Sequence, residues 1–489
     1  MGTTDELNAF SPATQILRAL SKRKISAAEL LEGYLRRVAR YDGDLNSIVI
    51  RDFDRATRDA RAADERRSAG DASPLLGLPI TVKESVDVEG LASTAGVTER
   101  IGHQAPGDAL TVTRLRQAGA IVMGKTNVCT WLADFNADNP IYGRTNNPWN
   151  LDLTPGGSSG GSATLAAGLT ALDLGSDLGG SLRIPAAFCG LWGHKPSAGI
   201  VPNTGHFPGS DRPNPAFPMA AQGLHARSVS DLEVGLNVIT GPDADLETAW
   251  QLRLPAARHL RLKDFRVAVL PAMQWLPVDG EIVSALNTLC DGLRKAGAMV
   301  REIGPAGVGD LRDHYRIFRA MMGFTVSAHW PNAVRERMVA AKLARQEEFH
   351  AADAHGFAAT APQLAGWLGK CSLYRSAWRE FFREWDILLT PMSLVPAFEH
   401  TRVPTADRRL QIDGKSVEFD YMSFYPSVAT LAGLPAVAFL TGKNKAGLPL
   451  GLQAIGPLLE DFTVLKFAGL IENEFGSFKP PDGYDGDLA

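Results

Sequence analysis

Two periodicities alternate along the chain. Apolar residues recur at helical spacing over residues 11–40 in two pieces, the second opened by the capping box Ser26-Ala-Ala-Glu29 ahead of Leu30, Leu31, Leu35 and Val38. After an Arg- and Asp-rich helical stretch over 51–67, the turn signal Gly77 introduces a short apolar strand, Leu78-Pro-Ile80-Thr-Val-Lys83. A helical pattern over 110–118 leads into the buried-strand run Ala120-Ile-Val-Met123, and the rhythm returns with Arg266 to Leu270 (strand), 279–296 (helix) and Ala298 to Ile303 (strand). Residues 308–385 read as mostly helical. The last strands are expected at Ile387 to Thr390, Ala436 to Leu440 and Leu450 to Ile455, before a closing helix from Asp461. This alternation predicts an α/β fold with helices packed on a mixed sheet. With no internal repeat and no long polar linker, one domain over 1–489 is expected, with an N-terminal helical arm at about 1–70.

Composition narrows the function classes. With 45% hydrophobic and 21% charged residues, the chain can bury a core without staples. Its net charge of −4 comes from basic and acidic residues that are interspersed, which makes nucleic acid and anionic membrane unnatural partners. The four cysteines, Cys129, Cys189, Cys290 and Cys371, form no Cys-x-x-Cys pair; a zinc ribbon or redox motif is not spelled out, and a reducing cytoplasm is the expected location. Met1 to Phe10 contains no apolar core of a signal peptide, and no run of 18 apolar residues predicts a membrane span. Met1-Gly2 suggests myristoylation, but Glu6 stands where that motif wants Ser or Thr.

The chemistry concentrates in the Gly- and Ser-rich region 148–210. Pro155-Gly-Gly-Ser158-Ser159-Gly-Gly-Ser162 is followed by Gly175-Ser-Asp177-Leu178-Gly179-Gly180-Ser181-Leu-Arg183-Ile-Pro185, with Ser181 lying 23 residues after Ser158. The intervening Ala-rich piece is long enough for one helix and the start of a strand, so both loops can reach one end of a sheet. A serine hydroxyl is a poor nucleophile at neutral pH and needs a base; a lysine serves if desolvation keeps it neutral. Lys83, at the end of an apolar strand, is a candidate. The amides of Leu178, Gly179, Gly180 and Ser181 could turn inward as an oxyanion hole, where each donor is worth about 2.7–4 kcal/mol in other hydrolases.

These segments resemble the amidase-signature family, whose hallmarks are a Gly-Gly-Ser-Ser-Gly-Gly loop, a Gly-Ser-Asp-x-Gly-Gly-Ser-x-Arg-x-Pro segment and an upstream Val-Lys. Further similar blocks span nearly the whole chain: Gly124-Lys-Thr-Asn127, Tyr142-Gly-Arg-Thr-Asn146-Asn-Pro148, Phe188-Cys-Gly190, Gly193-His-Lys-Pro196, Ala226-Arg-Ser-Val-Ser-Asp231, Gly433-Leu-Pro435 and Gly447-Leu-Pro449. The resemblance implies a single large α/β domain, a twisted mixed β-sheet flanked by helices on both faces. It implies catalysis by Ser181 as nucleophile, Ser158 as proton relay on an unusual cis peptide, and Lys83 as base, with no metal or organic cofactor. The relay falls on Ser158 rather than Ser159 by its place in the loop. Asp177 and Arg183 are expected to orient that loop by hydrogen bonds. Cys129, Trp131 and Phe135 fall in a region that passes near the substrate in similar enzymes, with aromatic packing as the alternative. The expected partner is a small-molecule amide, and a homodimer is compatible with the resemblance.

The chain departs from the family in places. Glu84 follows Lys83 where Asp is usual. After Lys195-Pro196 it reads Ser-Ala-Gly-Ile200, where glutamine-using subunits of tRNA amidotransferases typically read Thr-Tyr-Gly-Arg. Three functions follow in order: a stand-alone amidase or acylamidase, a glutamine amidotransferase subunit, and a non-catalytic amidase-like binding protein. Other motif readings fall away. Gly157-Ser158-Ser159-Gly160-Gly161 matches Gly-x-Ser-x-Gly, but no strand is expected before it. No Lys follows Gly161 as a Walker motif requires, and Ser21-Lys-Arg-Lys24 lacks the companion Lys-Thr-Gly. His350, Asp353 and His355 show no standard metal-ligand spacing and read as solvated helix residues.

Overall fold

The strands that organise the molecule are buried at every position rather than at alternate ones. Because successive side chains point to opposite faces of a sheet, such strands must be covered on both sides. Every residue of Pro79–Lys83 (β2), Ile121–Thr126 (β3), Leu172–Asp177 (β6) and Pro449–Ile455 (β15) is buried. The computed structural model describes residues 7–206, 218–304, 309–328 and 330–488.

The remaining strands are Ile48–Arg51 (β1), Asp138–Asn139 (β4), Gly143–Arg144 (β5), Trp192–Lys195 (β7), Ala221–Ala226 (β8), Arg266–Val269 (β9), Met299–Glu302 (β10), Ile387–Pro391 (β11), Arg409–Ile412 (β12), Lys415–Glu418 (β13) and Ala436–Lys443 (β14). Of the fifteen strands among the described residues, eleven form one sheet in the order β1-β3-β2-β6-β8-β7-β14-β15-β11-β9-β10. Pairing is parallel for β3-β2-β6 and for β11-β9-β10, and antiparallel through the middle and at β1. The mixed sheet flanked by helices agrees with the expected fold class.

Helices Ala13–Ser21 (α1), Ala27–Leu45 (α2) and Phe53–Ser68 (α3) come first, and most of their buried apolar residues join the same core as the sheet. The Ser26/Glu29 capping box is formed on α2. Leu110–Gln117 (α4), Gly161–Ala166 (α5), Arg183–Cys189 (α6), Val229–Ile239 (α7) and Gly280–Lys295 (α8) follow. The helical stretch expected at 308–385 resolves into Leu311–Ser327 (α9), Asn332–Leu343 (α10), Glu348–Phe357 (α11) and Ala361–Glu384 (α12), then Phe424–Thr430 (α13) and Asp461–Phe475 (α14) complete the set. The first six residues, where the myristoylation reading falls, lie outside the described residues. Within those described, no helix is long and apolar enough to cross a membrane.

Two features differ from expectation. Strands β7 and β8 have no clear apolar run of their own: they contain Gly, His and Gln and are held by ladder partners on each side. His350 and Asp353, expected to be solvated, are 2% and 3% exposed, because α11 packs onto α9 and buries them; His355 remains exposed.

Helix α6, which begins two residues after Ser181, sits directly on β15 because Gly451 has no side chain: a Cβ there would lie 2.3 Å from Ala187 Cβ. Gly451→Ala is therefore expected to lower stability by about 1–3 kcal/mol through overpacking. Urea unfolding checks this, and an unchanged midpoint would refute the contact.

Candidate active site

Strand β2 delivers Lys83 to the interior with no exposed surface. Its Nζ donates to Ser158 Oγ at 2.7 Å, to Ser176 Oγ at 3.0 Å and to the Ser176 carbonyl at 3.4 Å. Burial disfavours the ammonium and pulls the amine down to about 8, against the opposing pull of the nearby carboxylates Asp177, Asp173 and Glu84. Two other lysines are as deeply buried, so burial alone does not single Lys83 out. Lys125 contacts the Ala92 carbonyl and Ser93 Oγ, and Lys195 the carbonyls of Pro196 and Leu434. Among these three, Lys83 is the one bonded to hydroxyls that line the cavity described below.

The Gly-rich loop places the two adjacent serines differently. The Gly157–Ser158 peptide is cis, and Ser158 turns to Lys83. Ser159 Oγ instead donates to the Ser176 carbonyl at 3.2 Å. Gly157 is needed for the close approach, since a Cβ there would fall 2.5 Å from the Asp134 carbonyl oxygen. No strand leads into Ser158. The strand–turn–helix order belongs to Ser181, which lies between β6 and α6.

The turn carrying Ser181 is held by Asp177. Its carboxylate accepts Arg183 through Nε at 3.0 Å and Nη2 at 2.9 Å, and also the amides of Gly180 at 2.9 Å and Leu182 at 3.2 Å. Burial alone would raise the Asp177 carboxyl, but the Arg183 charge and hydrogen bonds outweigh it and hold it at about 2. Arg183 in turn donates to the Pro426 carbonyl, Thr430 Oγ1 and Gln453 Oε1, tying the turn to α13 and β15. Gly180 has φ +112°, open to glycine, and a Cβ there would meet Pro426 at 2.8 Å.

Of the four amides expected to face an oxyanion, Gly180's is engaged by Asp177. Those of Leu178, Gly179 and Ser181 have no acceptor among the described residues. Gly179 faces the cavity: a Cβ there would stand 3.7 Å from Met322 Sδ and 3.8 Å from Ser423 Cβ.

Ser158, Ser176, Ser181, Leu178 and Gly179 share one cavity of about 260 Å³. Its far walls come from α9, α10, α11 and the segment 405–423, and its near wall from residues 131–135. Trp131 and Phe135 line it, with Phe135 packed on Phe419 at 6.0 Å between ring centroids. Cys129 does not. It is fully buried behind the wall, its Sγ paired with the Asp134 backbone at 3.1 Å, and burial pushes its thiol up to about 12. Asp134 is pinned from the other side by both terminal guanidinium nitrogens of Arg408, at 2.8 and 3.0 Å.

Several contributors lie outside the residues that the sequence singles out. Ser176 bonds Lys83, and His206 lines the cavity with its ring driven down to about 3 by burial and then by the Lys83 charge. Arg319, Lys342 and Asp420 join Asp353, which the sequence reads as solvated, in an ion cluster on its far side. Of these, Ser176 alone sits in a motif, inside Gly-Ser-Asp. Among the described residues no group of His, Cys, Asp and Glu could hold a metal.

The family model Amidase matches residues 29–465. An indoleacetamide hydrolase of Bradyrhizobium diazoefficiens is 32% identical, covering 95% of this chain and 86% of that protein. A glutamyl-tRNA(Gln) amidotransferase subunit of Deinococcus radiodurans is also 32% identical, over 95% of this chain and 97% of that protein. The fold matches that of a bacterial aryl acylamidase of the amidase-signature family, with a TM-score of 0.78 at 23% identity, covering 95% of this chain and 96% of that one.

Asp177 contributes stability that is fully present above its ordinary value of 3.8 and is lost as pH falls through about 2. Removing its partner leaves a buried charge uncompensated, so Arg183→Met should cost about 3–5 kcal/mol in urea unfolding at neutral pH. A loss below about 1 kcal/mol would show that the pair does not hold the turn.

Proposed function

The chain belongs to the amidase family of hydrolases acting on amides, and from that premise we propose that it cleaves a small carboxylic or aryl amide through a Ser181 acyl-enzyme. The observation that carries this reading is the 2.7 Å contact between Lys83 Nζ and Ser158 Oγ, at the buried end of a cavity that also exposes Ser181. Neutral Lys83 takes the Ser158 proton as Ser158 takes that of Ser181, and Ser181 Oγ attacks the carbonyl carbon. The oxygen of the tetrahedral intermediate receives the amides of Leu178, Gly179 and Ser181, which are free to donate. The relay then returns the proton to the leaving nitrogen as the C–N bond breaks, and water attacks the acyl-enzyme with the same relay as base.

The cavity, at about 260 Å³, falls just under the usual range of about 300–1,000 Å³ for ligand sites. Trp131, Phe135, Met322, Trp330 and Phe419 make its walls largely apolar. Both features favour a small amide with an aromatic or aliphatic group. Four free, buried cysteines fit a reducing cytoplasm. A second reading, a glutamine-dependent amidotransferase subunit, is favoured by the similarity to the Deinococcus radiodurans protein. Hydrolysis of simple amides by the purified chain alone would set it aside, and activity only with a partner would uphold it.

Ser181→Ala should lower kcat by at least about four orders of magnitude and abolish labelling by a fluorophosphonate. Because the neutral amine is the working form, kcat/KM should rise with pH through an inflection near about 8, and Lys83→Ala should remove that limb along with most activity. Since every step uses groups of the chain itself, activity should persist in EDTA. Normal turnover in either variant would overturn the assignment.

A further inference from the structure

His225 stands directly opposite Asp173 across the β6–β8 ladder, and neither side chain reaches solvent. Its Nδ1 lies 3.1 Å from Asp173 Oδ2, and its Nε2 lies 2.8 Å from the carbonyl oxygen of Leu182, the residue after Ser181. A carbonyl oxygen has no proton to give, so Nε2 must carry one. The Nδ1 contact then holds a proton as well, on the ring or on the carboxyl. Asp173 Oδ1 already accepts the hydroxyls of Thr81 at 2.8 Å and Thr126 at 3.3 Å. Asp173 thus meets the ring with one oxygen while hydroxyls from β2 and β3 fix the other.

We propose that His225 is a positioning residue: held by Asp173, its Nε2–H grips the Leu182 carbonyl and fixes the turn that carries Ser181. This rests on the reading of Ser181 as nucleophile. The Leu182 oxygen also accepts the Ala186 amide at 3.1 Å, so one atom ties the turn both to α6 and to β8. Gly193, paired with His225 on β7, leaves room for this: a Cβ there would come within 3.1 Å of the Leu182 oxygen and 3.5 Å of His225 Cδ2.

The pair also matters for charge at Lys83. The titratable groups acting on Lys83 are Asp173 and Asp177 from β6, the adjacent Glu84 and the Cys129 thiol, and the His206 ring feels Lys83 in return. Arg183 neutralises Asp177 at 2.9 Å. The His225 ring faces Asp173, whose negative charge favours the ammonium form of the base.

The test has two arms on the full-length protein. In protein carrying ¹⁵N-histidine, with His225 assigned by its loss in His225→Gln, Nε2 should carry a proton hydrogen-bonded to the Leu182 carbonyl. A bare Nε2 overturns the proposal. Kinetically, His225→Leu should lower kcat at least about tenfold with KM within about twofold. His225→Gln, whose amide can donate to the Leu182 oxygen, should recover part of kcat. Asp173→Asn should move the rising limb of kcat/KM to lower pH. Equal losses in the Leu and Gln variants, or a limb that does not move, overturn the proposal; if the Leu variant fails to fold, the Gln variant and the ring measurement decide. Fluorophosphonate labelling at a residue other than Ser181 overturns both this and the underlying reading, whereas Ser181 labelling with a bare His225 Nε2 overturns this one alone.

Discussion

Taking a lysine amine out of water is the constraint around which the centre of this protein is arranged. A buried ammonium is costly unless its hydrogens are matched and its charge is balanced. Lys83 meets the first demand with Ser158 Oγ from the Gly-rich loop and with Ser176 Oγ and the Ser176 carbonyl from β6. Asp173, Asp177 and Glu84 meet part of the second, and burial still holds the amine at about 8. An amine so placed can change protonation state near neutral pH, which an exposed lysine cannot do. Strand β2 therefore sets the position of the Gly-rich loop, and the sheet sets the position of β2.

The carboxylates around that amine each have a partner of their own. Arg183 clamps Asp177 and reaches on to α13 and β15. His225 faces Asp173, while Glu84 accepts the amides of Thr94 and Ala95 and the hydroxyl of Tyr142. In this way the groups that shape the field at Lys83 also hold the backbone turns beside it. Substitutions at these positions will mix stability with chemistry, because one contact serves both.

The cavity has a different origin. Its chemistry-bearing end belongs to the sheet, whereas its far walls are helices α9 to α11 and the segment 405–423, held together by Arg319, Lys342, Asp353 and Asp420. Such a cluster fixes how the helices pack and leaves apolar side chains such as Met322 and Phe419 to shape the space. The bond to be cut and the molecule that contains it are thus governed by different parts of the fold.

Local signals determined much of this protein. Short, mainly apolar runs marked β2, β3, β11 and β15, the Ser26/Glu29 box marked the start of α2, and two Gly- and Ser-rich loops with an upstream lysine marked the residues of the candidate site. These features are legible because each depends on neighbours within a few positions. Tertiary structure alone decided the rest: that Ser159 turns to the Ser176 carbonyl, that Gly180's amide goes to Asp177, that Cys129 stands behind the cavity wall while Trp131 and Phe135 form it, and that His350 and Asp353 are buried. Each of these outcomes depends on which distant segment arrives opposite a side chain, as Asp173 meets His225 across 52 residues of chain. Polar residues at such positions look the same in sequence whether water or another strand will satisfy them.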